Sequence, residues 1–459
     1  MNNTFFGKGW VFKVYEKRSN TNFDLLNLQY LDIKKYPYLL ESSARGNLNN
    51  RFSILFYNPE FSIEKTNTKF LTEFDKNWIK EKIDQDKVIW NKKELPFSGG
   101  WFVYFGYELS REIEPKLKIP DSPYELPTAF VSRVKTAIIF DHIDSEIFIV
   151  SEDKRNFNDI CKSIEKDFNK AFKIKKDFYG SIKFLNKGSE EEHQKQVKKC
   201  IDYIFQGEIF QANLSRLWNY KVDKGIKAVD IYQQLRLKNP SPFSGLVSYN
   251  NSFIISSSPE RLVSVNENFL ETRPIAGTRP RGSSGLQDIE LSNELINSDK
   301  EKAEHLMLVD LERNDISKVC KPGSVKVNEM MTIESYAHVH HIVSNVCGQK
   351  IKNISPGKII SSIFPGGTIT GCPKVRCMEI LGELEKVGRG PYTGSFGYIT
   401  HSGNMDVNIL IRSMLLENNN LFFRAGGGIV ADSAPEAETL ETEAKANGML
   451  NALKFFYNV

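Results

Sequence analysis

No stretch of about 18 uninterrupted apolar residues occurs in this 459-residue chain, so no membrane span is expected. The first twenty residues, MNNTFFGKGWVFKVYEKRSN, have no apolar block followed by a small-residue cleavage site. A cytoplasmic protein is the expectation. Charge of one sign is also missing: Lys+Arg number 61 and Asp+Glu 57, a net of +4 mixed along the whole length. A nucleic-acid binder concentrates a larger positive excess, so that class is set aside. Small anionic substrates need only local positive charge and stay open. Cysteine is scarce, with six residues (Cys161, Cys200, Cys320, Cys347, Cys372 and Cys377), none at CxxC spacing. That argues against a zinc site and, in the cytoplasm, against disulfides; free thiols packed as small apolar groups are expected. Internal repeats, low-complexity tracts and the GxxxxGK[ST] phosphate loop are absent.

What is present is the composition of a globular enzyme: 40% hydrophobic, 26% charged and a mean hydropathy of -0.37, which excludes a disordered or fibrous chain. To about residue 180, short β-rich runs (RFSILFYN, WFVYFGYEL, TAIIFDHI, EIFIVSED) alternate with polar connections. KNWIKEKIDQ and NDICKSIEKDFNKAFKIKKD read as helices, the second with Ile160, Ile164, Phe168 and Phe172 on one face. The polar LNKGSEEE separates this part from the rest. Ser189 and Glu192 then form a capping box for a helix with Val197, Ile201, Ile204 and Phe205 on its apolar face, stopped at Gly207. Strands follow around IFQANLSRLWNY, FSGLVSYN and SFIISSSPERLVSV, and a helix over KAEHLMLVDLERNDISKVC. Further on come a helix over KVRCMEILGELEKV, strands GSFGYIT, MDVNILIRSMLLE and NLFFRAGGGIVA, and a last helix from Pro435. Strands and helices interleave without steady βαβ alternation, which points to large antiparallel or mixed sheets covered by helices.

Several groups carry chemistry. In the last helix Glu438, Glu441 and Lys445 are spaced i, i+3, i+7, on one face; Glu301 and Glu304 repeat the i, i+3 pair. Two carboxylates from separate elements suit a magnesium ion that keeps sites for water and an anionic ligand. Each pattern taken alone more often describes a solvated helix face with surface ion pairs. FPGGTITGCPK places Thr368 among glycines just before a helix, where N–H groups could hold a carboxylate, and Gly426, Gly427 and Gly428 let a backbone approach a ligand closely. His340 and His341 point to opposite faces of a strand, so at most one serves a given site.

Ten strings in order resemble the chorismate-binding enzyme family: SSPERLV, TRPIAGTRPRG, EHLMLVDLERND, KPGSVKV, HHIVS, TITGCPKVR, GSFGYIT, IRS, AGGGIVADS and ETEAKA. They run from about residue 185 to the C-terminus. The resemblance implies an α+β fold, a large sandwich of two face-to-face, mainly antiparallel sheets with helices outside. It implies a catalytic chorismate-binding region over 185–459 and an N-terminal family region over 1–180. It also implies Mg2+ held by Glu304 and Glu441 with Glu438 assisting, and substrate contacts from Gly277, Thr278, Tyr392, Arg412, Gly426, Gly427, Gly428 and Lys445. His341 matches the family's site histidine and Thr368 a neighbouring hydroxyl. Glu260 matches the acid that protonates the departing ring hydroxyl, a task that needs a carboxyl kept protonated by burial. YLLESSARGNLNNRFSIL, with Ser42, and NPSPF, with Pro242 and Phe243, resemble the two walls of a tryptophan pocket found in some relatives.

Within the family, water-adding branches have a lysine base where this chain has Gln211. Glutamine takes no proton at physiological pH, so an amination branch is expected, with ammonia as nucleophile and Gln211 to orient it. FQANLSR, FPGGTITGCPK, VHHIVS and the chain length favour aminodeoxychorismate synthase component I, which makes 4-amino-4-deoxychorismate for 4-aminobenzoate and folate. Ala276 stands where the best-studied members of that branch have lysine, and is shared with the alternative, anthranilate synthase component I. No glutaminase signature is visible, so ammonia from a separate glutamine amidotransferase subunit is expected, with tryptophan a candidate ligand.

Overall fold

The computed structural model describes residues 4–16, 24–44, 51–66, 69–174, 179–335 and 339–457. Two sheets dominate it, and the pairings that build them are antiparallel. The larger has thirteen strands among the described residues. Its central run is Phe52–Tyr57, Tyr38–Glu41, Phe243–Tyr249, Ser252–Ser258, Ser413–Glu417, Asn420–Ile429 and Gln211–Val222. The smaller has ten, running from Ile275–Pro280 and Val339–Gln349 through Phe269–Thr272, Arg261–Asn266, Met405–Asn408 and Ser395–Thr400 to Gly100–Phe105. Both sheets draw strands from either side of residue 180: Tyr38–Glu41 pairs Phe243–Tyr249, and Gly100–Phe105 pairs Ser395–Thr400.

The sheets pack face to face through aromatic side chains. Tyr38 of the larger stacks on Phe102 of the smaller with ring centroids 4.0 Å apart, and Tyr249 on Phe130 at 3.7 Å. This explains why Gly100–Phe105 is an unbroken apolar run: all six residues are buried, one face against the larger sheet and the other under helices. A second core lies between the larger sheet and the helices Phe157–Ala171, Ala228–Lys238 and Pro435–Lys454. A third lies between the smaller sheet and Phe70–Lys80, Asp299–Ser317 and Pro356–Ile363. The result is the expected α+β sandwich of two large antiparallel sheets with helices outside. No described helix is long and apolar enough to cross a membrane. The six cysteines are free, and five of them are buried.

Local expectations fail in instructive places. The helix expected over 76–85 is Phe70–Lys80, because the buried Phe70, Leu71, Phe74 and Trp78 set its face. The helix expected over 158–177 spans Phe157–Ala171, and residues 175–177 lie outside the described ones; Phe172 is exposed. Ser189 accepts from the Glu192 backbone N–H, half of the expected box. Helix Glu190–Phe205 buries His193, Val197 and Cys200, and at about 100° per residue Phe205 falls well outside that arc, so it is 74% exposed. Most consequential, SFIISSSPERLVSV and MDVNILIRSMLLE are not single strands. Each crosses from one sheet to the other: Ser252–Ser258 is in the larger sheet and Arg261–Asn266 in the smaller, and Met405–Asn408 is in the smaller and Ser413–Glu417 in the larger.

A buried ion network locks the strand that faces the triple glycine. Glu385 accepts from the Ser215 N–H (3.0 Å), the Ser215 hydroxyl (2.7 Å) and Arg389 (2.8 Å), and Arg389 donates to the Asn213 carbonyl at 2.6 Å. Burial pushes the Glu385 carboxyl up, but Arg389 and Arg424 outweigh it and hold it below the ordinary range. Glu385→Gln leaves two buried guanidinium groups short of an anion. It is expected to cost about 3–5 kcal/mol. Urea unfolding at pH 7 measures this, and an unchanged midpoint would show the network to be dispensable.

Candidate active site

The two sheet crossings meet. The Ile409 N–H donates to the Glu260 carbonyl at 3.0 Å, tying the first crossing, which carries Glu260, to the second, which carries Arg412. Arg412 is held at φ +51°, a left-handed conformation that side chains rarely adopt and that marks functional sites. Its guanidinium makes no hydrogen bond or ion pair among the described residues, although it is half-buried. Burial lowers its pKa and Glu260 opposes that. A cation in this position offers itself to an anionic ligand.

Glu260 is 5% exposed. The Thr368 hydroxyl donates to its Oε1 at 2.7 Å. Burial pushes its carboxyl up to about 7, against the Thr368 hydrogen bond and the Arg412 charge. A substantial fraction of it therefore stays protonated at neutral pH, as a general acid requires. His341 lies on Val339–Gln349, its Nδ1 3.0 Å from the Thr278 hydroxyl and 3.3 Å from the Gly277 carbonyl. Burial and the Arg412 charge drive its pKa down to about 4, so the ring is neutral. His340 turns instead to Ser335 and Asp288, as strand alternation requires.

The glycines form the opposite wall. Gly428, Gly427 and Gly426 pair with Asn213, Leu214 and Ser215 in register. A Cβ on Gly428 would collide with the Gln211 amide nitrogen and come within 3.3 Å of Glu304 Oε1. One on Gly427 would lie 3.2 Å from Glu438 Oε2 and 3.4 Å from Glu441 Oε1, and one on Gly426 2.8 Å from the Tyr392 hydroxyl. The glycines are thus required by close approach rather than by turn geometry. Gln211 donates to Glu304 at 2.7 Å, Ser433 to Glu438 at 2.6 Å, and Lys445 pairs with Glu441 at 2.7 Å.

The fold thus brings Glu304, from helix Asp299–Ser317, to the same wall as Glu438 and Glu441, from helix Pro435–Lys454. Burial pushes the Glu304 carboxyl up, and neighbouring Glu301 and Glu441 push it further while Gln211 and Lys445 oppose them. These hard oxygen donors, crowded and partly buried, suit a magnesium ion: two protein carboxylates would hold it, leaving positions for water and substrate. A tighter trio of acids, Asp141, Asp144 and Glu146, lies elsewhere, and Lys93 and Arg51 are already paired with it.

Ser42, Pro242 and Phe243 are not part of this wall. They line a separate cavity of about 220 Å³ between the sheets, with Leu40, Phe396 and Tyr398. The Ser42 hydroxyl donates to the Pro242 carbonyl at 3.0 Å. Residues 45–50 of the segment expected to shape this pocket lie outside the described residues. Two neighbours of the site escaped the sequence reading: Asn213, whose Oδ1 lies 2.8 Å from a Cβ built on Gly426, and Glu312, which accepts from the Gly367 N–H at 3.3 Å. Asn213 sits inside the quoted FQANLSR. Glu312 is eight residues past Glu304 on the same helix, a spacing that signals nothing until the helix is docked.

Residues 36–451 match the family described as chorismate binding enzyme. The anthranilate synthase component I-like protein of Synechocystis is 39% identical over 364 residues, 79% of this chain and 74% of that protein. Aminodeoxychorismate synthase component 1 of Bacillus subtilis is 38% identical over 372 residues, 79% of this chain and 78% of that protein. The crystal structure of anthranilate synthase component I from Streptococcus pneumoniae TIGR4 superposes with a TM-score of 0.75 at 30% identity, covering 88% of this chain and 93% of that one.

The Glu260 carboxyl keeps its proton to about 7 when folded but loses it near 4.5 when unfolded. Stability is therefore forfeited as pH rises between those values, and the loss is constant above them. Glu260→Gln has no charge to suppress. It is expected to be more stable than the wild type at pH 8, by up to about 3 kcal/mol, and no more stable at pH 4. Equal thermal midpoints at pH 8 would place Glu260 in the ordinary carboxylate range.

Proposed function

The chain belongs to the chorismate-binding enzyme family, and from that premise we propose that it aminates chorismate to 4-amino-4-deoxychorismate, the precursor of 4-aminobenzoate and folate. FQANLSR, FPGGTITGCPK and VHHIVS favour this product. The observation that carries amination of chorismate, to either product, is the pairing of a buried Glu260 whose carboxyl is pushed up to about 7 with an unengaged Arg412 in one site. The first supplies the proton with which the ring hydroxyl leaves as water. The second, with Lys445, offers charge to a dicarboxylate. Ammonia brings its own electron pair, so no side-chain base is required at the position of Gln211. The amine nitrogen bonds to the ring and one of its protons is lost, which restores the charge balance. Ala276 offers no nucleophile, so no bond between protein and substrate forms on this route.

Magnesium, held by Glu304 and Glu441 with Glu438 beside them, would neutralise the substrate's ring carboxylate. Gly426, Gly427 and Gly428 give the ring its close approach, with Tyr392 above Gly426 and Thr278 and His341 on the far side. Ammonia comes from a separate glutamine amidotransferase subunit, and the cavity at Ser42, Pro242 and Phe243 holds tryptophan. The protein works in the cytoplasm.

A second reading, anthranilate synthase component I, draws on Ala276 and on the names of several relatives, among them anthranilate synthase component 1 of Acetivibrio thermocellus, 36% identical over 447 residues. It uses the same acid and metal but ends with loss of pyruvate.

Purified chain with chorismate, magnesium and ammonium distinguishes the two. A product that retains the enolpyruvyl group and becomes 4-aminobenzoate only after a lyase is added supports the first reading. Fluorescent anthranilate with free pyruvate overturns it in favour of the second. Glutamine should not replace ammonium for the chain alone. Glu304→Gln and Glu441→Gln are each expected to lose nearly all turnover while unfolding at the wild-type urea midpoint; wild-type rates at saturating magnesium in both would remove the metal assignment.

A further inference from the structure

Two amide side chains lean over the glycine wall from the neighbouring strand. Gln211 and Asn213 alternate along Gln211–Val222, so they share one face of the larger sheet. A Cβ on Gly428 would collide with the Gln211 amide nitrogen, and one on Gly426 would lie 2.8 Å from Asn213 Oδ1. Each amide is committed on its nitrogen and open on its oxygen. Gln211 donates to Glu304 at 2.7 Å, and Asn213 donates to the Thr368 carbonyl at 3.5 Å. Gln211 Oε1 and Asn213 Oδ1 are both buried and accept no hydrogen bond among the described residues. A buried acceptor left without a donor costs stability, so each of these oxygens calls for an explanation.

The protein's own donors near Asn213 are spent elsewhere. Arg389 donates to the Asn213 backbone carbonyl at 2.6 Å and pairs with Glu385, and Arg424 pairs with the same carboxylate. The Tyr392 hydroxyl also lies 2.8 Å from the Cβ built on Gly426, yet it does not donate to Asn213 Oδ1. The donor must then come from a reactant. Chorismate matches poorly: its carboxylates are acceptors, which a carbonyl oxygen repels, and its ring hydroxyl is the group that Glu260 protonates. Ammonia matches well. It carries three N–H donors and one lone pair, so it can hydrogen-bond to the protein and still attack the ring.

We infer that Asn213 is an ammonia-binding residue: its side-chain oxygen accepts an N–H of the incoming nucleophile over Gly426, on the same sheet face as Gln211, and leaves the nitrogen lone pair for the substrate ring. Thr368 joins this seat to the acid. Its hydroxyl donates to Glu260 at 2.7 Å while its carbonyl accepts from Asn213. One residue between them thus sets where the nucleophile rests relative to the departing hydroxyl. The inference rests on reading ammonia as the nucleophile, and it holds for either amination product.

The test is Asn213→Leu in the full chain, with loss of chorismate followed against ammonium at one fixed pH and saturating magnesium. Leucine has nearly the shape of asparagine but no acceptor. Losing one neutral hydrogen bond to ammonia should raise the ammonium KM about tenfold, leave the chorismate KM within about twofold and let kcat recover at saturating ammonium. Asn213→Asp, which keeps an oxygen at that place, should hold the ammonium KM within about threefold of wild type. Because Asn213 Oδ1 has no protein donor to lose, Asn213→Leu should unfold close to the wild-type urea midpoint. An unchanged ammonium KM in Asn213→Leu, a chorismate KM raised by the same factor, an equal rise in Asn213→Asp, or a leucine variant too unstable to assay overturns the proposal. The wild-type chain separates the two ideas. If its turnover of chorismate does not depend on ammonium, ammonia is removed as the nucleophile and the proposal falls with it. Ammonium-dependent turnover with an unmoved KM in Asn213→Leu removes only the role of Asn213.

Discussion

Two crossings between sheets hold Glu260 and Arg412, and the rest of the candidate site depends on them. A chain that leaves one sheet for the other must break its ladder, which frees backbone groups and turns a side chain into the space between layers. Here the break at Glu260 is joined to the break at Arg412 by the Ile409 N–H. Neither side chain could be buried there on its own account: an isolated acid or guanidinium in a low-dielectric layer is expensive. The aromatic stacking of Tyr38 on Phe102 and Tyr249 on Phe130 keeps the layers together, and the packing of the sandwich offsets that expense.

The site then divides its charges by solvation. On the inner side lie Glu260, Glu312 and neutral His341, with little access to water. On the outer side, Glu441 and Lys445 stay partly exposed and pair with each other. Protons are governed on the inner side, where burial moves pKa values by the largest amounts. The carboxylates whose oxygens suit a metal ion lie on the outer side, Glu441 beside Lys445. The glycine wall brings its bare backbone close to Glu304, Glu438 and Glu441, because no side chain stands between them.

The cavity at Ser42 is separate from this site but not remote in the chain. Asn408 lines it, and the next residue, Ile409, makes the bond to Glu260. Asn408 also donates to the Phe243 carbonyl at 3.1 Å and accepts from the Phe396 N–H at 2.9 Å. The Phe243 wall is thus hydrogen-bonded to the residue that ends the strand leading to the second crossing. This continuity is a matter of connectivity between the sheets, which strand periodicity does not report.

Residue chemistry determined a great deal by itself. The i, i+3, i+7 spacing put Glu438, Glu441 and Lys445 on one helix face, alternation separated His340 from His341, and the scarcity of paired cysteines foretold free thiols. These are local consequences of helix and strand geometry, so they survive whatever the helix or strand packs against. Tertiary structure alone decided the rest. Two β-rich runs joined by a short polar stretch read the same whether they stay in one sheet or cross to another, so the breaks at Glu260 and Arg412 were hidden in SFIISSSPERLVSV and MDVNILIRSMLLE. Burial over the whole sandwich set the Glu260 proton, and only docking of helix Asp299–Ser317 against the Gly367–Ile369 turn brought Glu312 beside it. A charge's worth depends on every neighbour within several ångströms, and those neighbours come from distant parts of the chain.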